Sequence, residues 1–233
     1  MVIVISIIAL TFLSLLPGFA WLIIFLHEDI HPEPKYYLLK TFGIGIGIAL
    51  PVYGLETLFN FITKQLHFSP LLFLVFVLAL IEELSKFIAA KIAVYKNKNF
   101  DEPVDAMIYT ITAALGFATI ENLISASGYA VDLNYAIKFL SLRFAGATML
   151  HALTGGFIGY FWGKSIQSKK QINIFYGLII AIILHFIFNS LIILLQPNQL
   201  LYAEMILLMA SFFVFYDFEK LQKGETIQTS KNN

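Results

Sequence analysis

The stretch Leu71-Leu-Phe-Leu-Val-Phe-Val-Leu-Ala-Leu-Ile-Glu82-Glu83-Leu-Ser-Lys86-Phe-Ile-Ala-Ala-Lys-Ile-Ala-Val94 is an apolar run long enough to cross a bilayer. Its middle carries two adjacent carboxylates and a lysine. A charged side chain at the centre of a bilayer costs roughly 2.5 to 3.5 kcal/mol on insertion scales. Three within about one turn therefore demand pairing, a polar cavity or a catalytic use. Glu82 and Lys86 are four residues apart, on one helical face.

Working outward, the whole chain has the same character. Of its 233 residues 59% are hydrophobic and only 13% charged, and its mean hydropathy is +0.80. This composition predicts an all-α, polytopic transmembrane bundle of about seven spans, within a range of six to eight, with no room for a separate soluble domain. Residues 1–218 read as one membrane domain and 219–233 as a polar, disordered cytoplasmic tail. The chain has no cysteine, which excludes disulfides, a cysteine nucleophile and thiolate metal sites. A formal net charge of zero gives no nucleic-acid footprint.

Hydropathy places the spans at about Val2–Leu26, Tyr37–Ile62, Leu71–Val94, Val104–Ala126, Ala136–Trp162, Ile174–Leu195 and Leu200–Phe218. Pro32 and Pro34 end the first helix at a polar segment. Gly43 and Gly47 in the second span have the small-residue spacing of close helix contacts, and His151, Gly155, Gly159 and Gly163 form a glycine ridge in the fifth. Basic residues collect on one side of this topology, predicting the N-terminus outside and the C-terminus inside.

Polar residues at depth form a candidate site. Counted from the outer end of each span at 1.5 Å per residue, Glu82 lies roughly 15 to 20 Å deep, His151 about 20 Å and His185 about 15 Å, whereas Glu121 comes out at only about 5 to 10 Å. His185 and Asn189 lie one turn apart, as do Phe117 and Glu121. Two hydrolytic arrangements fit. In one, His151, His185 and Glu121 hold a zinc-like ion while another glutamate deprotonates its water. In the other there is no metal, and a buried glutamate acts as general base while a histidine and Asn189 donate to the oxyanion. No His-Glu-x-x-His motif is present. Read alone, Glu82, Glu83 and Lys86 could form a structural ion pair, and His151 a bridge between helices. Arg143 reads as a side chain snorkelling to the outer headgroups. Glu56 and Asn60 read as packing contacts, and Asp105 as a helix-start residue.

The ordered set Pro32-Glu-Pro34, Glu82-Glu83-x-x-Lys86, Phe100-Asp-Glu-Pro-Val-Asp105, Gly116-Phe-Ala-Thr-Ile-Glu121-Asn122, Arg143, His151-Ala-Leu and His185-x-x-x-Asn189 resembles the PrsW family of intramembrane proteases. That family is related to the CAAX-prenyl-protease-like membrane proteins. The resemblance implies cleavage of a membrane-anchored, anti-sigma-factor-like protein within or beside the lipid bilayer, with Glu82, Glu83, Glu121, His151 and His185 as catalytic residues. Lys86, Asn122 and Asn189 are the expected support for substrate or oxyanion. Metalloprotease and metal-free glutamate-dependent labels both occur in the family, so zinc and no metal stay equally open. Ala106 stands where the family is expected to carry glycine. The competing readings are a proton-coupled transporter, for which no inverted second half is visible, and a helix-binding scaffold, which leaves the buried carboxylates unexplained. The sequence leaves the oligomeric state undefined.

Overall fold

The computed structural model describes residues 2–66, 70–195 and 201–232, with side chains from residue 5 to residue 223. All regular structure among them is helical. In chain order the helices are α1 (Val2–Leu26), α2 (Lys35–Gln65), α3 (Leu71–Val94), α4 (Asp105–Ala126), a 3-10 turn (Ser127–Tyr129), α5 (Leu133–Arg143), a π-helical segment (Phe144–Thr148), α6 (Met149–Ser168), α7 (Ile172–Leu194) and α8 (Leu201–Asn232). Among the described residues, five helical segments are long and apolar enough to cross a membrane: Ile5–Leu26, Lys35–Gln65, Asp105–Tyr129, Ile172–Leu194 and Leu201–Lys223. α3 is 24 residues long and differs from them by the charges at its centre. The helix of α8 continues over the polar stretch that begins at residue 219. The first residue of the seventh expected span, Leu200, lies outside the described residues, as do the side chains of the tail from residue 224.

α4 is the axis of the bundle. Every residue from Asp105 to Thr119 is buried, because α4 is composed of small and apolar side chains that neighbours on all sides can approach. Its three threonines satisfy their own hydroxyls by donating to the helix: Thr110 to Ala106 O at 2.6 Å, Thr112 to Ile108 O at 2.7 Å and Thr119 to Leu115 O at 3.0 Å. The other helices turn large apolar side chains outward, such as Phe12 on α1, Leu58 on α2 and Phe212 on α8. Such a surface suits lipid rather than water.

Glycines set how near the neighbours come. A Cβ on Gly159 would lie 2.4 Å from Met107 Cα, and one on Gly163 would lie 2.3 Å from Pro103 O. The glycine ridge of α6 thus packs directly on the α4 backbone. On α2 the close approach falls at Gly45, whose Cβ would lie 2.1 Å from Ala113 O, opposite Gly116, whose Cβ would lie 2.1 Å from Phe42 O. The expectation for Gly43 and Gly47 is corrected, since neither has a neighbour within 4 Å of a Cβ. The spacing was right, but the face that meets α4 is the one carrying Gly45.

The end of α4 that begins at Asp105 is tied to the α1–α2 connection. Asp29 accepts from the backbone N–H groups of His31 (3.2 Å) and Glu33 (3.1 Å), which shapes the turn through Pro32. The Tyr109 hydroxyl donates to Glu33, and Asn97 Nδ2 donates to the same hydroxyl at 2.9 Å. Asp105, expected as a helix-start residue, accepts from the backbone N–H groups of Asp101 (3.0 Å) and Glu102 (2.8 Å).

Candidate active site

About 24 Å along α4 from Asp105, side chains of α3, α4, α6 and α7 converge. Glu83, fully buried on α3, accepts through Oε1 from Lys86 Nζ at 2.7 Å and from His185 Nδ1 at 2.5 Å. Glu121 on α4 meets His151 Nε2 on α6 through Oε2, also at 2.5 Å. The two histidine rings stand edge to face, 5.4 Å apart. Lys86 Nζ also lies 3.7 Å from Glu82 Oε2 and 5.2 Å from the centre of the Phe117 ring.

Glu121 reaches this depth because α4 does not stop at Ala126. The 3-10 turn carries it to Tyr129, so Glu121 lies about 12 Å from that end rather than at the shallower level read from hydropathy. The π segment completes the geometry. On an uninterrupted α-helix Arg143 and His151, eight residues apart, would point about 80° from each other; the extra residue of a π turn reduces this to about 20°. Both therefore reach Glu121, with Arg143 Nη2 at 3.2 Å from Glu121 Oε2, within ion-pair distance but off the hydrogen-bonding direction. The Trp21 indole of α1 holds the segment in place by donating to Phe144 O at 2.8 Å.

Arg143 is thus a site residue, which corrects its reading as a snorkelling side chain. Its Nε donates to Asn122 Oδ1 at 2.6 Å, and Asn122 Nδ2 donates to Thr148 Oγ1 at 3.1 Å. Asn122 is fully buried and accepts from Arg143, so it lies on the far side of Arg143 from Glu121 in this hydrogen-bond chain. Asn189 lines the main cavity together with Glu121, Arg143, His151 and His185. That cavity has a volume of about 300 Å³, its remaining wall is largely apolar, and Glu204 of α8 contributes to its lining.

The donor set fits a cation. Each histidine gives one ring nitrogen to a carboxylate, which fixes the proton there and leaves the other nitrogen as a bare lone pair. Glu82, His151 and His185 each offer a ligand atom, all within 4.8 Å of one another. Glu82 Oε2 and His151 Nδ1 are buried without a hydrogen-bond partner. The carboxylate in this trio is Glu82, whereas the sequence reading assigned Glu121, which the structure uses to orient His151. Charge points the same way. Lys86 sits closest to Glu83, at 2.7 Å against 3.7 Å to Glu82, and Arg143 pairs with Glu121, so Glu82 shares a more distant cation and has none of its own.

The model of the PrsW family of intramembrane metalloproteases matches residues 33–216. The chain belongs to the PrsW family. Curated relatives agree with that assignment. Protease PrsW of Oceanobacillus iheyensis is 26% identical over 182 residues, covering 76% of this chain and 79% of the relative. Protease PrsW of Clostridioides difficile is 30% identical over 165 residues, covering 69% and 68%. Protease PrsW of Bacillus subtilis is 27% identical over 161 residues, covering 68% and 69%. No solved structure matches. This PrsW-family chain is a protease and an integral membrane protein.

Proposed function

We propose that this PrsW-family protease hydrolyses a peptide bond of a membrane-anchored, anti-sigma-factor-like protein, within or beside the bilayer, at the meeting point of Glu82, His151 and His185. The observation that carries the reading is the trio itself, buried, mutually within ligand distance and oriented by Glu83 and Glu121. Glu82, His151 and His185 would hold a zinc-like dication, which when bound polarises the scissile carbonyl and acidifies a water. Glu83 keeps the His185 proton on Nδ1, and Glu121, backed by Arg143, keeps the His151 proton on Nε2. Asn189 faces the main cavity, where its amide can donate to the oxyanion of an extended segment bound there. The apolar wall of that cavity suits a transmembrane or juxtamembrane stretch and excludes bulk water.

A second reading rests on Lys86. Its ammonium already lies 3.7 Å from Glu82 Oε2, so a cation is present without a metal and Glu82 serves directly as general base towards water. In both readings residues 1–218 form one membrane domain of seven spans, N-terminus outside, in a bacterial cell membrane, with 219–233 as a cytoplasmic tail. The distribution of lysines between the two sides supports this orientation.

The test is cleavage of a single-span reporter by the protein reconstituted in liposomes, alongside elemental analysis of the same preparation. Stoichiometric zinc lost together with activity in His151→Ala and His185→Ala supports the metal form. Activity without bound metal, abolished by Glu82→Gln, supports the second. Wild-type cleavage by Glu82→Gln refutes both.

A further inference from the structure

A second cavity, of about 20 Å³, lies between α2, α3 and α4, lined by Tyr53, Glu56, Glu82, Phe117 and Glu121 among others. That volume accommodates one water molecule. Ala49, Tyr53 and Glu56 recur at helical spacing, so one face of α2 closes the cavity. Two oxygens of its lining residues, Glu56 Oε1 and Glu82 Oε2, are buried without a hydrogen-bond partner. Glu82 itself is only 6% exposed. A packing role for Glu56, as read from the sequence, leaves its buried Oε1 unsatisfied, which costs about 1 to 3 kcal/mol. A water with donors for both removes that cost.

We propose that this cavity binds the water consumed in hydrolysis and that Glu56 is a positioning residue holding it against Glu82, an inference that rests on the peptidase reading above. Each turnover uses one water. Its oxygen bonds to the acyl carbon, the C–N bond breaks, one hydrogen passes to the leaving nitrogen and the other belongs to the new carboxyl group. Substrate occupies the 300 Å³ cavity lined by the histidines. Glu121 lines both cavities, so the water site joins the reaction centre from the side that the substrate leaves uncovered. Water is then available while the peptide is bound.

The experiment compares wild type, Glu56→Gln and Glu56→Leu as full-length protein in liposomes, by reporter cleavage and by X-ray hydroxyl-radical footprinting of Phe117. Phe117 is 3% exposed, so its oxidation reports a water held against it. Glu56→Gln keeps a polar head of the same size and retains kcat within about threefold of wild type. Glu56→Leu lowers kcat by about tenfold or more with KM within about twofold, because the substrate cavity is untouched. Phe117 oxidation falls at least about fivefold in Glu56→Leu and persists in Glu56→Gln. A wild-type kcat in Glu56→Leu, a change confined to KM, or Phe117 oxidation that is absent from wild type or indifferent to Glu56→Leu overturns the proposal. If Phe117 responds as described while no preparation cleaves, the water site stands, and its role in hydrolysis falls together with the peptidase reading.

Discussion

Gly159→Ala tests whether the spacing of α6 on α4 sets the active site. The added Cβ would lie 2.4 Å from Met107 Cα and 2.6 Å from Ala106 O, against 3.4 Å for ordinary contact. Those atoms are helix backbone and cannot swing aside, so α6 must lift by about 1 Å. Two i, i+4 steps back along the same glycine ridge, His151 Nε2 lies 2.5 Å from Glu121 Oε2. A lift of that size stretches the contact to about 3.5 Å, past a useful hydrogen bond. Overpacking of this kind costs about 1 to 3 kcal/mol of stability, and a misplacement of 1 Å at a reacting group costs about a hundredfold in rate. Thermal unfolding in detergent and kcat on a single-span reporter read the two effects. Gly43→Ala and Gly47→Ala, with open space at each Cβ, are the controls and keep wild-type values. The reasoning fails if Gly159→Ala matches those controls in both measurements.

Three further outcomes follow from other parts of the molecule. Arg143→Lys lowers kcat by about tenfold or more, because an ammonium cannot serve Asn122 and Glu121 together as the guanidinium does; near-normal steady-state kinetics would contradict this. Trp21→Phe keeps the ring stack on Phe144 but deletes the indole donor to its carbonyl, costing about 1 kcal/mol in denaturant unfolding, whereas no loss would mean that the π segment holds without it. Burial raises the carboxyl pKa values of Asp29 and Glu33 above their ordinary 3.8 and 4.5; at Glu33 hydrogen bonds with Tyr109 and Asp105 oppose the shift, while the charges of Asp29 and Asp101 reinforce it. The folded protein therefore holds these protons more tightly than the unfolded chain, and stability is lost as pH rises from the ordinary values through the raised ones. Glu33→Gln flattens that slope in unfolding titrations, and an unchanged slope would exclude Glu33 as its source.

The parts of the site legible in the sequence are those carried by one uninterrupted helix. Glu82 with Lys86, and His185 with Asn189 on one face, follow from helical spacing alone; Lys86 lies 3.7 Å from Glu82, and His185 and Asn189 line one cavity. Which carboxylate serves which histidine does not follow, because partners lie on different helices whose rotation the sequence leaves free. Arg143 was misread for a related reason: a 3.6-residue period turns it away from His151, and only the π segment turns it back. Phe144-Ala-Gly-Ala-Thr148, with glycine at its centre, was the available signal. Glu121 came out too shallow because Ser127–Tyr129 looked like loop and is a further helical turn. Among Gly43, Gly45 and Gly47 nothing local selects the middle one. That choice is made by Gly116 across the interface.

Three of the four helices that meet at the candidate site, α3, α4 and α6, are also the ones least suited to enter a membrane singly. α3 has Glu82, Glu83 and Lys86 at its centre, α6 is absent from the five candidate spans, and α4 has the lowest mean hydropathy of those five. Left alone in lipid, each would expose charges or glycine backbone that only its neighbours cover. Biogenesis must therefore deliver them as a group, held near the insertion machinery until α7 and α8 emerge to enclose them. His185, which completes the trio with Glu82 and His151, arrives on α7. The nascent chain consequently has no complete site until α7 has been made, and the membrane is spared a half-built protease.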